Sequence, residues 1–299
     1  MSGLSVALAT PLQPDDGLDL DALRRLVRHV VAGGADVLVA LGTTGEASTL
    51  TDDERDLVVA ACLEESGGRP VLVGTGSSST AQAALWTRRA RALGAAGALV
   101  VTPPYNKPTQ AGIAAHYRAI AQGAAGFPLV AYNVPGRTAV NLTPAGLAKV
   151  WETDEVVAVK ESSGNLGQIA EVARTLPGGK QLLSGDDNLA VPSVAVGAVG
   201  LVSVLGNLLP RETKALVDAA RAGDAGRARA LHLALLPLMD ALFVEPNPIP
   251  LKAGLELLGL GGAHVRLPLT PAEPATIQRL SAALAHARAE AQPHLEATT

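Results

Sequence analysis

The run Val156-Val157-Ala158-Val159-Lys160 ends four aliphatic residues on a lysine. An ammonium carried into an apolar interior is costly unless paired, and burial favours the free amine. A neutral amine is the nucleophile that forms an imine with a carbonyl compound. The competing reading is a lysine that reaches out from a strand end to solvent or to a carboxylate, and spacing leaves both open. The other five lysines lie in helices, in loops or beside Gly and Pro, where a structural role suffices. Gly42-Thr43-Thr44-Gly45-Glu46 sets two hydroxyls between glycines. Such a segment is either a site where amide and hydroxyl donors hold a small carboxylate or an ordinary strand-to-helix turn. Arg137, after Pro135-Gly136, is either a bidentate carboxylate ligand or a surface arginine. Asp186 and Asp187 read better as helix capping at Asn188 than as metal ligands. The six histidines show no metal-ligand spacing, and neither Gly-x-x-x-x-Gly-Lys nor Gly-x-Ser-x-Gly occurs.

These residues need a frame that brings them together. Short aliphatic and β-branched runs predict strands at Ser5–Ala9, Val37–Leu41, Val71–Gly74, Ala98–Thr102, Leu129–Tyr132, Val156–Lys160, Gln181–Ser184 and Gly200–Val204. Helix-period segments fall between them, at Leu20–Ala32, Asp53–Glu65, Thr80–Leu93, Ile113–Gln122, Leu166–Leu176 and Glu212–Ala222. Thr51 and Ser79 are placed to cap two of these, and Gly33 and Gly94 to follow two helix ends. Eight strand–helix units whose strands are apolar throughout predict an α/β fold, a (β/α)8 TIM barrel. A doubly wound open sheet is the alternative, but its glycine-rich nucleotide loop is missing. In a barrel, chemistry gathers at the C-terminal ends of the strands, where all the residues above fall. Residues 1–223 are assigned to the barrel and 224–299 to a C-terminal helical domain. That appendix reads as three helices, Ala225–Phe243, Leu251–Leu258 and Pro274–Ala291, with a proline-rich kink between the first two and a frayed end.

Composition excludes several classes. The chain has 299 residues, 48% hydrophobic, with a formal net charge of −4, so it carries no basic footprint for nucleic acid or an anionic membrane. No apolar stretch is long enough for a membrane span, and the N-terminus does not read as a signal peptide. The single cysteine, Cys62, fits a reducing compartment, so a cytoplasmic protein is expected. With three tyrosines, two tryptophans and two phenylalanines, the core must be built from Leu, Val and Ala. Tyr105 and Tyr132 nevertheless both follow apolar strands.

Together, Gly42-Thr43-Thr44-Gly45-Glu46, Tyr105-Asn106-Lys107-Pro108, Tyr132-Asn133-Val134-Pro135-Gly136-Arg137-Thr138 and Val159-Lys160-Glu161-Ser162-Ser163-Gly164 match a known pattern. Ser184-Gly185-Asp186-Asp187 and Phe243-Val244-Glu245-Pro246-Asn247-Pro248-Ile249-Pro250 add to it. The chain resembles, nearly end to end, the pyruvate-dependent Schiff-base aldolases, the family of dihydrodipicolinate synthase and N-acetylneuraminate lyase. The arginine at position 137 looks like the synthase branch.

The resemblance implies condensation of pyruvate with L-aspartate 4-semialdehyde, toward diaminopimelate and lysine, with no metal, nucleotide or separate organic cofactor. Cleavage of a 2-keto-3-deoxy sugar acid or 4-hydroxy-2-oxoglutarate, and a barrel reused as a pyruvate-binding regulator, are the alternatives. By resemblance, Lys160 forms the imine and Tyr132 moves protons beside it. Thr43 links Tyr132 to Tyr105, which reaches into the neighbouring subunit of a homotetramer built as two dimers. Thr44 holds the pyruvate carboxylate, Arg137 that of the aldehyde, and Gly185 and Val202 supply backbone carbonyls. Relatives regulated by lysine carry a tyrosine, a glutamate, an asparagine and a histidine where this chain has Pro104, Gln82, Ser78 and Arg55, which predicts weak feedback or none.

Overall fold

In the computed structural model, which describes residues 1–296 and of Glu296 the backbone only, eight parallel strands close into a barrel in chain order. They are β1 (Gly3–Ala7), β2 (Val37–Ala40), β3 (Val71–Gly74), β4 (Gly97–Val101), β5 (Leu129–Asn133), β6 (Val156–Glu161), β7 (Gln181–Ser184) and β8 (Gly200–Ser203). β1 pairs with both β2 and β8, so the sheet has no edge, and the open-sheet alternative is excluded. Strand alternation divides the aliphatic residues. Val37, Val39, Leu72, Leu99, Val130, Ala158, Leu183 and Val202 fill the barrel, whereas Leu38, Ala40, Val159 and Leu201 face the surrounding helices. Both faces are dry, which is why the strands read as unbroken apolar runs.

The helices between strands start where caps were expected. Thr51 and Glu54 form a reciprocal capping box on Asp52–Glu64, and Ser79 accepts the N–H of Gln82 at the start of Thr80–Leu93. Four helices begin earlier than predicted, two of them at or next to a proline. Pro210–Arg221 starts at its proline, and the helix predicted from Leu251 runs Ile249–Leu257 with Pro250 in its first turn. Proline lacks only an N–H that the first turn leaves unpaired anyway, so the proline-rich kink is the start of a helix.

Past the barrel, helices Ala225–Ala241, Ile249–Leu257 and Pro274–Glu296 follow. The last several residues are expected from sequence to fray, but the final helix continues past Ala291 to Glu296; residues 297–299 lie outside the described residues. The connection between the last two helices is pinned to the barrel mouth by Arg266. Its guanidinium donates to the Thr49 carbonyl (2.7 Å) and to both oxygens of Glu54 (3.0 and 2.5 Å). Among the described residues, no helix is long and apolar enough to cross a membrane.

Hydrogen bonding from Arg266 holds the Glu54 carboxyl down to about 2. A depressed carboxylate contributes stability that is full above its unfolded pKa, roughly 4.3, and is lost as pH falls through the folded value. Glu54→Gln should therefore lower unfolding free energy at pH 7 by about 1–3 kcal/mol, the worth of a hydrogen bond to a charged group. Denaturant titrations across pH should show this deficit shrinking between about pH 4 and 2; a deficit constant with pH would exclude the ion pair as its source.

Candidate active site

Lys160 and Tyr132 face each other inside the C-terminal end of the barrel. They are register partners on β6 and β5, and the Lys160 Nζ lies 4.1 Å from the centroid of the Tyr132 ring. This arrangement depends on a bulge. Leu129 pairs with Val156, but Val130 pairs with Ala158, so Val157 is an extra residue in β6. Were the same residues paired without this shift, Tyr132 would oppose Val159, and Lys160 would point outward among the helices. With it, Lys160 stands two residues above Ala158 on the inner face and is 5% exposed. The barrel's aliphatic filling, Val202 included, lies beneath it.

Gly185, at the end of β7, touches the lysine. A Cβ there would lie 2.7 Å from Lys160 Cε and 1.8 Å from Ser162 Oγ, so only glycine allows the approach. The surroundings are less apolar than the β6 run suggests, because three carboxyl groups cluster around the strand ends. Burial pushes Asp186 up to about 6, against the opposing pull of the nearby Lys160 charge. Glu161 is likewise raised by burial, opposed by hydrogen bonds from the backbone N–H of Ser163 (2.8 Å) and from Asn133 (3.0 Å). Asp187, buried, accepts from Ser203 Oγ (2.5 Å) and from the N–H groups of Val204 (2.9 Å) and Leu205 (3.1 Å). Capping at Asn188, the sequence expectation, is thus corrected. The carboxylate turns toward the turn after β8 and accepts its N–H groups.

Thr43 and Tyr132 line one cavity of about 370 Å³, together with Arg55, Trp86, Ser78 and Pro104. Among the described residues, no hydrogen bond joins the Thr43 hydroxyl to either tyrosine. Tyr105 stands apart on the outer loop, 89% exposed, with a left-handed backbone (φ 73°). Left-handed Lys107 follows two residues later, and Asn106 between them donates to the Ser78 carbonyl (3.1 Å). Non-glycine residues rarely adopt such backbones, and they concentrate where function constrains a loop. Arg55 is buried in the cavity wall, where its guanidinium donates to the carbonyls of Ala47 (3.0 Å) and Gly74 (2.6 Å) and stacks 4.0 Å above Trp86. Burial lowers it to about 10.

Thr44 and Arg137 meet through a residue that received no role from sequence, Asn247. Its side-chain amide donates to Thr44 Oγ1 (3.0 Å), and its carbonyl accepts from Arg137 (3.4 Å). Glu46 also gained no role, yet it forms an ion pair with Lys252, whose side chain is fully buried and also donates to the His264 carbonyl (2.8 Å). Lys252 thus has the structural role expected of the lysines other than Lys160, in the form of a buried ion pair. A legible signal existed: Ile249–Leu257 is apolar almost all round, which marks a buried helix, and a lysine inside one requires a partner. Chemically, the mouth combines an amine, a phenol beside it, a carboxyl that titrates near neutrality, and hydroxyl and guanidinium donors. That set suits addition of an amine to a carbonyl compound carrying a carboxylate.

Known proteins share this chain's sequence and architecture. Residues 1–287 match the Dihydrodipicolinate synthetase family. The 4-hydroxy-tetrahydrodipicolinate synthase of Thermomicrobium roseum is 49% identical over 286 residues, 95% of this chain and 94% of its own. The crystal structure of dihydrodipicolinate synthase from Thermotoga maritima superposes with a TM-score of 0.93 at 38% identity, covering 96% of this chain and 98% of that one. The chloride-inhibited synthase of Acinetobacter baumannii complexed with pyruvate gives a TM-score of 0.93 at 39% identity, with coverages of 96% and 98%. With a family match spanning the whole barrel and most of the helices beyond it, and relatives of this identity over nearly their full length, the chain belongs to the dihydrodipicolinate synthetase family.

Proposed function

We propose that the chain is a 4-hydroxy-tetrahydrodipicolinate synthase, condensing pyruvate with L-aspartate 4-semialdehyde through an imine on Lys160, in the route to diaminopimelate and lysine. The observation that carries the reading is Lys160 set against the Tyr132 ring at the base of the barrel mouth. The amine of Lys160 adds to the ketone of pyruvate and water leaves. The imine then draws electrons from the methyl group, which loses a proton and becomes an enamine carbon. That carbon attacks the aldehyde of the second substrate. The substrate's own amine displaces Lys160 and closes the ring. Tyr132 is placed to give and take these protons, and Asp186, titrating near neutrality beside the lysine, is a local proton store. Thr44 supplies a buried hydroxyl for the pyruvate carboxylate, and exposed Arg137 a guanidinium for that of the aldehyde. Gly185 and Val202, against and beneath the lysine, contribute backbone carbonyls.

Tyr105 belongs to the same reading through a second subunit. Its exposure supports a role completed in a neighbour, with Thr43 joining the two tyrosines in an assembled homotetramer of two dimers. One buried cysteine, Cys62, its thiol pushed up to about 12 by burial, supports a cytoplasmic setting.

Borohydride reduction in the presence of pyruvate should leave a covalent adduct on Lys160, located by peptide mass spectrometry. Recovery on another lysine, or on none, would sink the mechanism. Mixing two inactive variants, Tyr105→Phe and Lys160→Ala, should restore activity, since each mixed pair holds one site with both residues intact. No recovery despite demonstrated subunit exchange would exclude sharing of Tyr105. Lysine should inhibit weakly or not at all. Pro104 and Ser78 line the cavity without a charge, Gln82 brings no carboxylate, and the guanidinium of Arg55 repels an ammonium. Strong inhibition at sub-millimolar lysine and subsaturating pyruvate would overturn that expectation.

A further inference from the structure

We propose that Asn247 is a positioning residue for pyruvate, acting through Thr44: its amide donor occupies the Thr44 hydroxyl oxygen and so turns the hydroxyl proton toward the substrate carboxylate. The inference rests on the assignment of Thr44 as the carboxylate's donor. A threonine hydroxyl has one proton to give and accepts through its oxygen. Left alone, it rotates and can spend that proton on any nearby carbonyl. The Asn247 Nδ2 group lies 3.0 Å from Thr44 Oγ1 and has only protons to offer, so Thr44 must accept from it and keeps its own proton free.

The other half of the amide supports this. Asn247 is 5% exposed, and its Oδ1 is buried with no hydrogen-bond partner among the described residues. A half-satisfied buried amide costs stability, so packing alone does not account for an asparagine here. What the side chain does use is its donor. Its position is also held firmly. The helix behind it is tied to the loop bearing Thr44 by the ion pair of Lys252 with Glu46, two residues beyond Thr44, and the Lys252 N–H donates to the Pro248 carbonyl (2.9 Å). The Asn247 carbonyl meanwhile takes the Arg137 guanidinium, so one residue borders the groups proposed to hold both substrates' carboxylates.

A double-substitution cycle tests the proposal. Asn247→Leu keeps the volume and removes the donor; Asn247→Ala gives the same comparison if the leucine variant is insoluble. Each is measured alone and with Thr44→Val, reading pyruvate KM, kcat and the yield of borohydride adduct on Lys160 at saturating pyruvate. Expected are a rise in pyruvate KM of about tenfold for either single substitution, in line with loss of a hydrogen bond to a charged group, and an unchanged adduct yield. The double variant should be no worse than Thr44→Val alone, because Asn247 has nothing left to orient. Multiplying effects in the double variant, or an unchanged KM for both Asn247 variants, would overturn the inference while leaving Thr44 in its role. An unchanged KM in Thr44→Val would overturn the assignment of Thr44, and the inference with it.

Discussion

Glu46 and Lys252 form an ion pair with almost no access to water, and the shape of the barrel mouth depends on it. Two charges taken from water recover their desolvation cost only through close contact and further hydrogen bonds. Here the backbone N–H of Arg266 donates to the second oxygen of Glu46 (3.1 Å), and the Lys252 ammonium also reaches the His264 carbonyl. Removing either partner strands the other, a loss of about 3–5 kcal/mol in comparable sites. The pair joins the loop after β2 to a helix some two hundred residues later in the chain. Hydrophobic packing could hold that helix against the barrel but would not fix its rotation. A charge pair between single atoms does, and so it sets where Asn247 and Arg266 fall.

The inside of the barrel works by a different rule. Its floor is aliphatic and filled, leaving room for polar groups only at the upper rim. Lys160, Tyr132 and Gly185 occupy that rim, with Asp186, Asp187 and Glu161 at the ends of β6 and just beyond β7. The carboxyl groups sit where burial raises their affinity for protons, yet two of them are satisfied by several N–H donors. Asp186 is pushed up to about 6 by burial, with the neighbouring Asp187 and Glu161 charges adding to the rise and the Lys160 charge opposing it.

Most of this architecture is visible in the chain before folding. Eight aliphatic runs announce eight strands because a strand buried on both faces has no polar side, and every observed strand overlaps its expected run. Thr51 and Ser79 cap as expected because capping is local chemistry. What the chain hides is long-range. Asp187 caps a turn in the next strand–loop unit, which no local window reveals. Asn247 and Lys252 act on Thr44 and Glu46 across the whole barrel. Tyr105 projects from the outer loop, exposed, and no local window says what it meets. The bulge at Val157 is hidden for another reason: Val156, Val157, Ala158 and Val159 are all aliphatic, so their pattern does not say which face each one takes.

That bulge limits how the sequence can be rearranged over evolutionary time. Loops of a barrel lengthen and shorten freely, because their backbone faces water. β6 has no such freedom. With the bulge at Val157 kept, gaining one residue between Ala158 and Lys160 would shift the strand end by one place and carry the amine out among the helices, with composition and hydrophobicity scarcely altered. Fragments exchanged between related barrels therefore have to cross over outside β5 and β6, so that the two strands travel as one inherited unit.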